Sequence, residues 1–138
     1  MRISFIIFLI FLFLLYFIFD KYIFLSEKEK IDKILEKAKN ACENEDLDLI
    51  SKLLDKDYSD NFGHDYNKLL RRLKNIFNLY DEIRIYFLAK KINVKDSIAI
   101  CSLKVRALGL AKDINEYEVF YKDLLTIYLK NRKIYYAE

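Results

Sequence analysis

The stretch EIRIYFLAKKINV, residues 82–94, is the point at which the hydrophobic period of the chain changes. Ile83, Ile85, Phe87 and Ala89 occupy every second position, which is the period of a half-buried strand. Before this stretch the apolar residues recur every three or four positions, which is the period of a helix. The chain is therefore predicted to place its helices first and its strands afterwards.

The first predicted helix of the folded domain runs from about Ser26 to Asn44. Ser26 followed by Glu29 has the spacing of a capping box, in which two side chains satisfy the free backbone N–H groups of a helix start. An apolar stripe at helical spacing follows. Two starts are compatible with the sequence, since the helix can continue from the apolar segment before it or break at residues 24–26.

Two further helices are predicted before the change of period at residue 82. Glu45 and Asp46 place negative charge at the start of the second helix, which is expected to end near Asp55. Residues 57–65 are dense in Asp, Asn, Ser and Gly and are predicted to form a loop. Asp65 is predicted to cap the third helix.

Three strands are predicted to follow the first one. A turn at residues 95–97 leads to a second strand, Ile98–Leu108, and a longer polar connection leads to a third strand, Glu116–Lys130. A turn at residues 131–133 leads to the last strand, Ile134–Ala137. The predicted fold class is therefore α+β, with three helices packed on a curved four-stranded antiparallel sheet whose concave side meets the third helix.

The amino-terminal part of the chain is a separate feature. Residues 3–19 are an uncharged run rich in Ile, Phe and Leu, which spans about 25 Å as a helix and is within the range for crossing a ~30 Å hydrocarbon core. A cleaved signal is the main alternative, but residues 17–22 are all large and offer no cleavage site. A buried core helix is disfavoured because the run is apolar all round. We therefore predict an uncleaved membrane anchor at residues 1–25 and one folded domain at residues 26–138.

The charges beside the apolar run predict its orientation. Arg2 and the amino terminus precede the run, while the acidic and basic residues from Asp20 to Lys30 nearly cancel. Positive charge tends to stay in the cytoplasm. The chain is expected to be a single-pass inner-membrane protein with a cytoplasmic N-terminus and an extracytoplasmic domain.

Composition and motifs narrow the possible partners. The formal net charge is +3 with interspersed signs, so no nucleic-acid binding is expected. Phosphate-loop and serine-nucleophile motifs are absent from the sequence, and no cofactor is expected. Asp57, Asp60 and Asp65 share a stretch but lack the spacing of a calcium loop, so no metal site is predicted. Cys42 and Cys101 suit one disulfide outside the cytoplasm or two buried thiols, and small core residues are the favoured interpretation.

The order of these elements resembles that of the nuclear-transport-factor-2-like superfamily, also described as cystatin-like cones. The likeness lies in residues 57–65, with the pattern Asp-Tyr-Ser-Asp-x-x-Gly-x-Asp, and in the closing strands at 124–130 and 133–135. Many members end with a strand that begins Trp-x-Ile; Ile134 and Tyr135 stand near that place, and the Trp is missing. The resemblance implies a cone with an apolar pocket. Its members include isomerases, dehydratases, cyclases, ligand binders and adaptor domains, so it implies no single function.

Two residues are candidates for acid–base chemistry. His64 is the only His, so a base near neutral pH must be His64 or a carboxylate with a raised pKa. Asp123 is the candidate carboxylate, because it interrupts an otherwise apolar strand, where burial would raise its pKa. A plain loop role is the competing interpretation for His64. Asp123 and His64 are therefore the catalytic candidates of a sequence that contains no stronger ones.

Tyrosines recur along the predicted strands. Their rings can line a ligand pocket and hydrogen-bond a ligand, although strand preference and packing explain them equally well. The pocket candidates are Tyr86, Tyr117, Tyr121 and Tyr128.

The function expected from the sequence is that of a membrane-anchored, non-enzymatic interaction or scaffold domain. The expected partners are the membrane through residues 3–19 and either a second copy of the chain or a membrane protein, because an open antiparallel sheet face with Tyr and Leu tends to be covered. The alternative is apolar ligand binding, or isomerase- or dehydratase-like chemistry, in the pocket of the cone.

Overall fold

The computed structural model describes the backbone of residues 2–138 and the side chains of residues 2–20 and 27–138. Three helices and five strands make up this part of the chain. In chain order they are α1 (Arg2–Glu43), α2 (Leu47–Leu53), β1 (Leu54–Asp60), α3 (Tyr66–Leu79), β2 (Tyr80–Lys95), β3 (Ile98–Ala111), β4 (Glu116–Lys130) and β5 (Lys133–Ala137).

The helix α1 joins the apolar run to the folded domain without a break. Its first part, Arg2–Asp20, is long and apolar enough to span a membrane and is not buried in the domain, and a signal sequence would have the same properties. Its second part packs into the domain through Ile31 and Leu35. Because the helix passes through Ser26, the helix start predicted there is wrong, and of the two alternatives the continuous helix is observed. The sequence of α1 contains no Gly or Pro that would interrupt it.

The caps of the two shorter helices confirm the predicted starts. The side chain of Asp46 accepts the N–H of Leu49 at 3.1 Å, and that of Asp65 accepts the N–H of Lys68 at 2.8 Å. Both bonds satisfy an N–H group that has no partner inside the helix. An aspartate before each helix therefore stabilises the first turn of α2 and of α3.

The sheet has the strand order β1-β5-β4-β3-β2. Strands β2 to β5 form the predicted antiparallel meander, and Asp96, Asn131 and Arg132 close its two tight turns with positive φ angles. The register places Lys95 opposite Ile98 and Ile98 opposite Lys130. Arg132, in the second of these turns, lies 3.7 Å from Glu27, so this end of the meander is level with the start of the domain-packed part of α1.

A fifth strand, β1, was not predicted and makes the sheet mixed. It pairs in parallel with β5 along a stretch that the sequence suggests to be a loop. Leu54 and Tyr58 are buried and hold it against the domain. Its aspartates still act as turn formers do, since Asp55 accepts the N–H of Asp57 at 2.8 Å, and the register shifts between Leu54 and Ser59. The prediction failed because Asp is depleted in strands, whereas here tertiary pairing decides.

The two faces of the sheet differ in cover. The covered face carries the buried residues Cys101, Leu103 and Val105 of β3, and the open face carries the residues between them, which are exposed. The prediction that the concave side of the sheet meets the third helix is incomplete, because α1 lies along β2 and its Leu35 is almost fully buried. The best-buried part of the core lies between α1 and the centre of the sheet.

Candidate functional site

The side chain of Asp60 is the centre of a polar cluster at the end of β1. Its Oδ1 accepts the backbone N–H groups of Phe62 and His64, each at 2.9 Å. Its Oδ2 accepts the hydroxyl of Tyr58 at 2.8 Å and lies 3.1 Å from Nδ1 of His64. Only 2% of the Asp60 side chain is exposed. Gly63, with φ of 89°, makes the turn that brings His64 back over Asp60.

These contacts fix the charge state of the cluster. Desolvation acts to raise the pKa of Asp60, but the hydrogen bonds from His64, Tyr58 and Phe62 outweigh it and lower that pKa below its usual value. Burial and the bond to Asp60 raise the pKa of Tyr58. Asp60 is therefore an anion with a neutral phenol and an imidazole on one oxygen.

The geometry at His64 is that of a base held by a carboxylate. When Nδ1–H donates to Asp60, the other ring nitrogen, Nε2, is left as an acceptor, and 28% of the His64 side chain is exposed. The sequence singled out His64 but missed Asp60 as its partner. The signal was present as an Asp four residues before the His with a Gly between them.

Asp123, the other catalytic candidate, lies apart from this cluster. It stands on β4 opposite Val105, on the side of the covered face, at a point that remains exposed to solvent. Its Oδ1 accepts the N–H of Leu124 at 2.7 Å. In the part of the chain whose side chains are described, no hydrogen bond or ion pair joins Asp123 to His64. The structure therefore does not bring the two candidates together in one constellation.

The N–H group that Asp123 caps belongs to an uncovered strand edge. The last backbone bonds between β4 and the carboxyl end of the chain join Thr126 and Glu138, at 2.8 and 2.9 Å. From Glu116 to Leu125, β4 pairs with β3 on one side only. Backbone groups alternate in direction, so Leu124 is the first residue past Thr126 to point its N–H and C=O outward. We call residues 116–125 the free edge.

Apolar side chains of the free edge are also exposed. Leu124 is 70% exposed, Tyr117 46% and Val119 45%. Their partners across the ladder are Lys104, Leu110 and Leu108, so all three stand on the open face. A strand with unpaired backbone groups and exposed apolar side chains is a template for pairing with another chain.

The four pocket tyrosines do not share one face. Residues that pair directly across an antiparallel ladder point to the same side. Tyr86 pairs with Arg106, and Tyr117 and Tyr128 stand on the same open face, whereas Tyr121 pairs with the buried Ala107. The strand register gives no support to a pocket shared by all four tyrosines, which stays a prediction.

Tyr80, which is outside that set, also places a polar group inside the covered face. Tyr80 is 7% exposed, donates its hydroxyl to Glu118 at 2.8 Å and stacks on Phe120 with ring centroids 4.9 Å apart. Its ring lies over Gly109, where a Cβ atom would come within 2.3 Å of it. A glycine inside a strand indicates such a close approach, so Gly109 was the signal in the sequence for this contact.

Two surface depressions border the domain-packed part of α1. One, of about 440 Å³, lies between α1 and α2 and includes Asp32, Glu36 and Lys37; the other, of about 570 Å³, includes Lys28, Lys90 and Lys91. Charged side chains dominate both linings, unlike the apolar pocket that the resemblance implies. Among the described residues, no group of three or more His, Cys, Asp or Glu side chains is placed to hold a metal ion.

The two cysteines are separate thiols in this structure. Cys101 is completely buried and Cys42 partly so. Burial raises the pKa of each thiol to about 11. Both are consequently protonated at neutral pH and unsuited to nucleophilic chemistry.

Comparison with solved structures identifies the fold. No family model matches the sequence, and no curated protein does. Among solved structures, the chain is similar to a nuclear-transport-factor-2-like superfamily protein from Salmonella enterica (11% identity, TM-score 0.70, 82% of this chain and 89% of that one). It is also similar to a putative scytalone dehydratase from Novosphingobium aromaticivorans (13%, TM-score 0.74, 83% of each chain). A third match is Bd1075 of Bdellovibrio bacteriovorus (16%, TM-score 0.68), of which this chain spans 40%.

The folded part of the chain thus has the nuclear-transport-factor-2-like fold, as its resemblance implies. Identities of this size show the fold alone, and the fold serves both enzymes and proteins without chemistry.

Proposed function

We propose that this chain is a membrane-anchored interaction domain that binds an extended segment of a partner protein at the free edge and catalyses no reaction. The observation that carries the proposal is the one-sided pairing of β4 from Glu116 to Leu125 together with its exposed apolar side chains. Strand addition to such an edge gives affinity through main-chain hydrogen bonds and specificity through alternate side chains. The separation of His64 from Asp123 supports the absence of a reaction.

The charge of the free edge favours a basic partner segment. Its charged residues are Glu116, Glu118, Lys122 and Asp123, so the edge is acidic. A second copy of the chain would bring the same acidic edge against itself, and like charges across a strand pair are destabilising. A segment of another protein that carries Lys or Arg fits this edge better than self-pairing does.

The other two edges of the sheet are less available for pairing with another strand. Along β2, the N–H of Ile85 donates to the side chain of Glu43 at 3.2 Å, and α1 covers the strand. β1 is short and its pairing is irregular, which is a usual way to blunt an edge. The free edge of β4 is therefore the natural docking position.

Photo-crosslinking in the native membrane tests this function. A photoreactive side chain at Leu124 is expected to capture one partner protein, whereas the same group at Leu79, which is 59% exposed at the end of α3, serves as the matched control. Capture of a second copy at Leu124 would replace the proposed partner by a homodimer. Equal labelling from Leu124 and Leu79, or none from either, would refute docking at the free edge.

The anchor and its orientation belong to the same proposal. Arg2–Asp20 crosses the inner membrane, and the domain lies on the extracytoplasmic side. Intact-mass measurement of the mature protein tests retention of residues 1–25. Labelling of a cysteine introduced at Ser97 with a membrane-impermeant reagent tests the orientation in a Cys42→Ser background, since Cys101 is completely buried and Cys42 only partly so. Protection of that cysteine in intact cells would mean that Lys21, Lys28 and Lys30 set the orientation without regard to their acidic neighbours.

The second candidate function is ligand binding or dehydratase-like acid–base chemistry at His64. It is favoured by the Asp60–His64 contact and by the similarity of the fold to that of a protein described as a putative scytalone dehydratase. A native mass spectrum of the full chain from its own membrane is expected to show a stoichiometric extra mass if a ligand binds there. Loss of that mass in His64→Gln, with its retention in the exposed-loop control Asn61→Gln, would support the site.

A further inference from the structure

Contacts between β2 and α1 allow the distance of the domain from the apolar span to be estimated. The strand β2 runs antiparallel to the second part of α1, and contacts between the two fix their relative height. Ile85 is level with Glu43, and further along the strand the ammonium group of Lys90 lies 2.5 Å from Asp32 and 3.1 Å from Glu36. Moving along β2 towards its end therefore means moving back along α1 towards the apolar span.

The end of β2 reaches the level of the lipid headgroups. From Lys90 to Lys95 the strand advances about 17 Å, which equals roughly eleven residues of helix. That places Lys95 close to the level of residue 23, about 5 Å beyond Asp20, where the apolar span ends. The polar headgroup layer is about 5–7 Å deep on each side of the hydrocarbon core.

An independent contact gives the level of the neighbouring turn. The guanidinium group of Arg132 lies 3.7 Å from the carboxylate of Glu27. Glu27 is about seven helix residues past Asp20, which corresponds to roughly 10 Å. Both hairpin turns at this end of the sheet are thus within about one Debye length of the bilayer surface.

Three lysines form a row across the sheet at this level. Lys95 pairs with Ile98, Ile98 with Lys130, and Lys130 with Lys133. All three lysines are exposed. Across residues 2–20 and 27–138, none of them makes an ion pair. We call Lys95, Lys130 and Lys133 the lysine row.

We infer that the lysine row docks on anionic phospholipid headgroups, an inference that rests on the membrane anchor of the proposed function. The row lies at the end of the sheet nearest the apolar span and makes no ion pair among the described residues, whereas Arg132 already has Glu27. Basic side chains at this distance are attracted to anionic lipid, by roughly fivefold in the docked-to-undocked ratio for each Lys. The next row of the open face contains Tyr128 and Tyr136, a residue type that favours the membrane interface. The docked domain is held against the surface with its free edge pointing away from it.

The test uses the full chain in nanodiscs of phosphatidylcholine alone or of phosphatidylcholine with phosphatidylglycerol. A donor dye on Ser97→Cys reports energy transfer to an acceptor carried by headgroup-labelled lipid. Cys42, which is only partly buried, is replaced by Ser in every variant, and Cys101 is completely buried, so position 97 is the reactive one. The variant is Lys95→Gln/Lys130→Gln/Lys133→Gln. The matched control, Lys68→Gln/Lys74→Gln/Lys112→Gln, makes the same charge change on exposed lysines away from the two turns.

Docking predicts that anionic lipid raises energy transfer in the wild type and in the control but not in the lysine-row variant. The docked-to-undocked ratio is expected to fall by roughly a hundredfold in that variant, and by about fivefold in Lys130→Gln alone. In the labelled chain that keeps all its lysines, raising the salt concentration is expected to reverse the effect of anionic lipid. Energy transfer that is insensitive to phosphatidylglycerol, or insensitive to salt, would overturn the inference without reliance on any variant.

Discussion

The two parts of strand β4 differ in exposure although both are rich in apolar residues. In the part next to the anchor, Leu129 stands on the covered face, opposite the buried Ala99, and is 1% exposed. In the part far from the anchor, Leu124 stands on the open face, opposite Lys104, where β5 has also ended, and is 70% exposed. The exposure of a strand residue is thus decided by the face on which its side chain stands and by what covers that face. The residue's own type does not decide it, since both residues are leucines.

The same two parts also differ in charge. The lysine row lies at the anchor end of the sheet, and the acidic free edge lies at the other end. Lipid and partner protein are therefore proposed to bind opposite ends, so that one contact leaves the other accessible. Substitutions that affect one part and spare the other sharpen this contrast.

The largest expected effect is on stability in the closed part of β4. Leu129→Ala removes a side chain that is almost fully buried and is expected to lower the free energy of unfolding by about 2–5 kcal/mol. Leu124→Ala is the matched control and is expected to change it by less than about 0.5 kcal/mol. Urea unfolding of the full chain in detergent measures both. Equal losses would mean that the free edge is packed in solution.

The next effect is expected at the close contact between Gly109 and Tyr80. Gly109→Ala places a Cβ atom against the Tyr80 ring and is expected to cost about 1–3 kcal/mol of unfolding free energy. Combining it with Tyr80→Leu, which lacks the ring, is expected to cost less than the sum of the two single changes. Additive losses would show that the ring can move aside without cost.

A third effect is expected in the pH dependence of stability. The pKa of Asp60 is lowered in the folded state, so its contribution is complete above the unfolded value of about 4 and is lost as pH falls through the folded value. Asp60→Asn is expected to cost about 1–3 kcal/mol at neutral pH and to flatten the loss of stability below pH ~4. Asp57→Asn, on the same strand and exposed, is the control. An unchanged acid slope in Asp60→Asn would mean that other carboxylates govern acid unfolding.

The sequence reveals features that depend on local pattern and misses those that depend on partners in space. The change of period at residue 82, the helix start near Asp46 and the cap at Asp65 were readable because each rests on neighbouring residues. β1 was missed because its pairing with β5 overrides an aspartate-rich local sequence. The Asp60–His64 contact and the free edge were also missed, since one needs the turn at Gly63 and the other needs the end of β5.

The smallest change in stability is expected for Asp123→Ala, a substitution that tests the role of Asp123 at the free edge. Its carboxylate accepts the N–H of Leu124 and so occupies an edge donor that a partner strand would need. Asp123→Ala frees that donor, and because the side chain is exposed, the free energy of unfolding is expected to shift by only about 0.5 kcal/mol. Crosslinking from Leu124 is expected to increase, because the acidic cap no longer competes with the partner. Asp123→Asn keeps an acceptor oxygen at the same position and is expected to retain most of the cap. If crosslinking instead falls in Asp123→Ala and is kept in Asp123→Glu, Asp123 contacts the basic partner through its charge, and the free edge is recognised mainly by electrostatics.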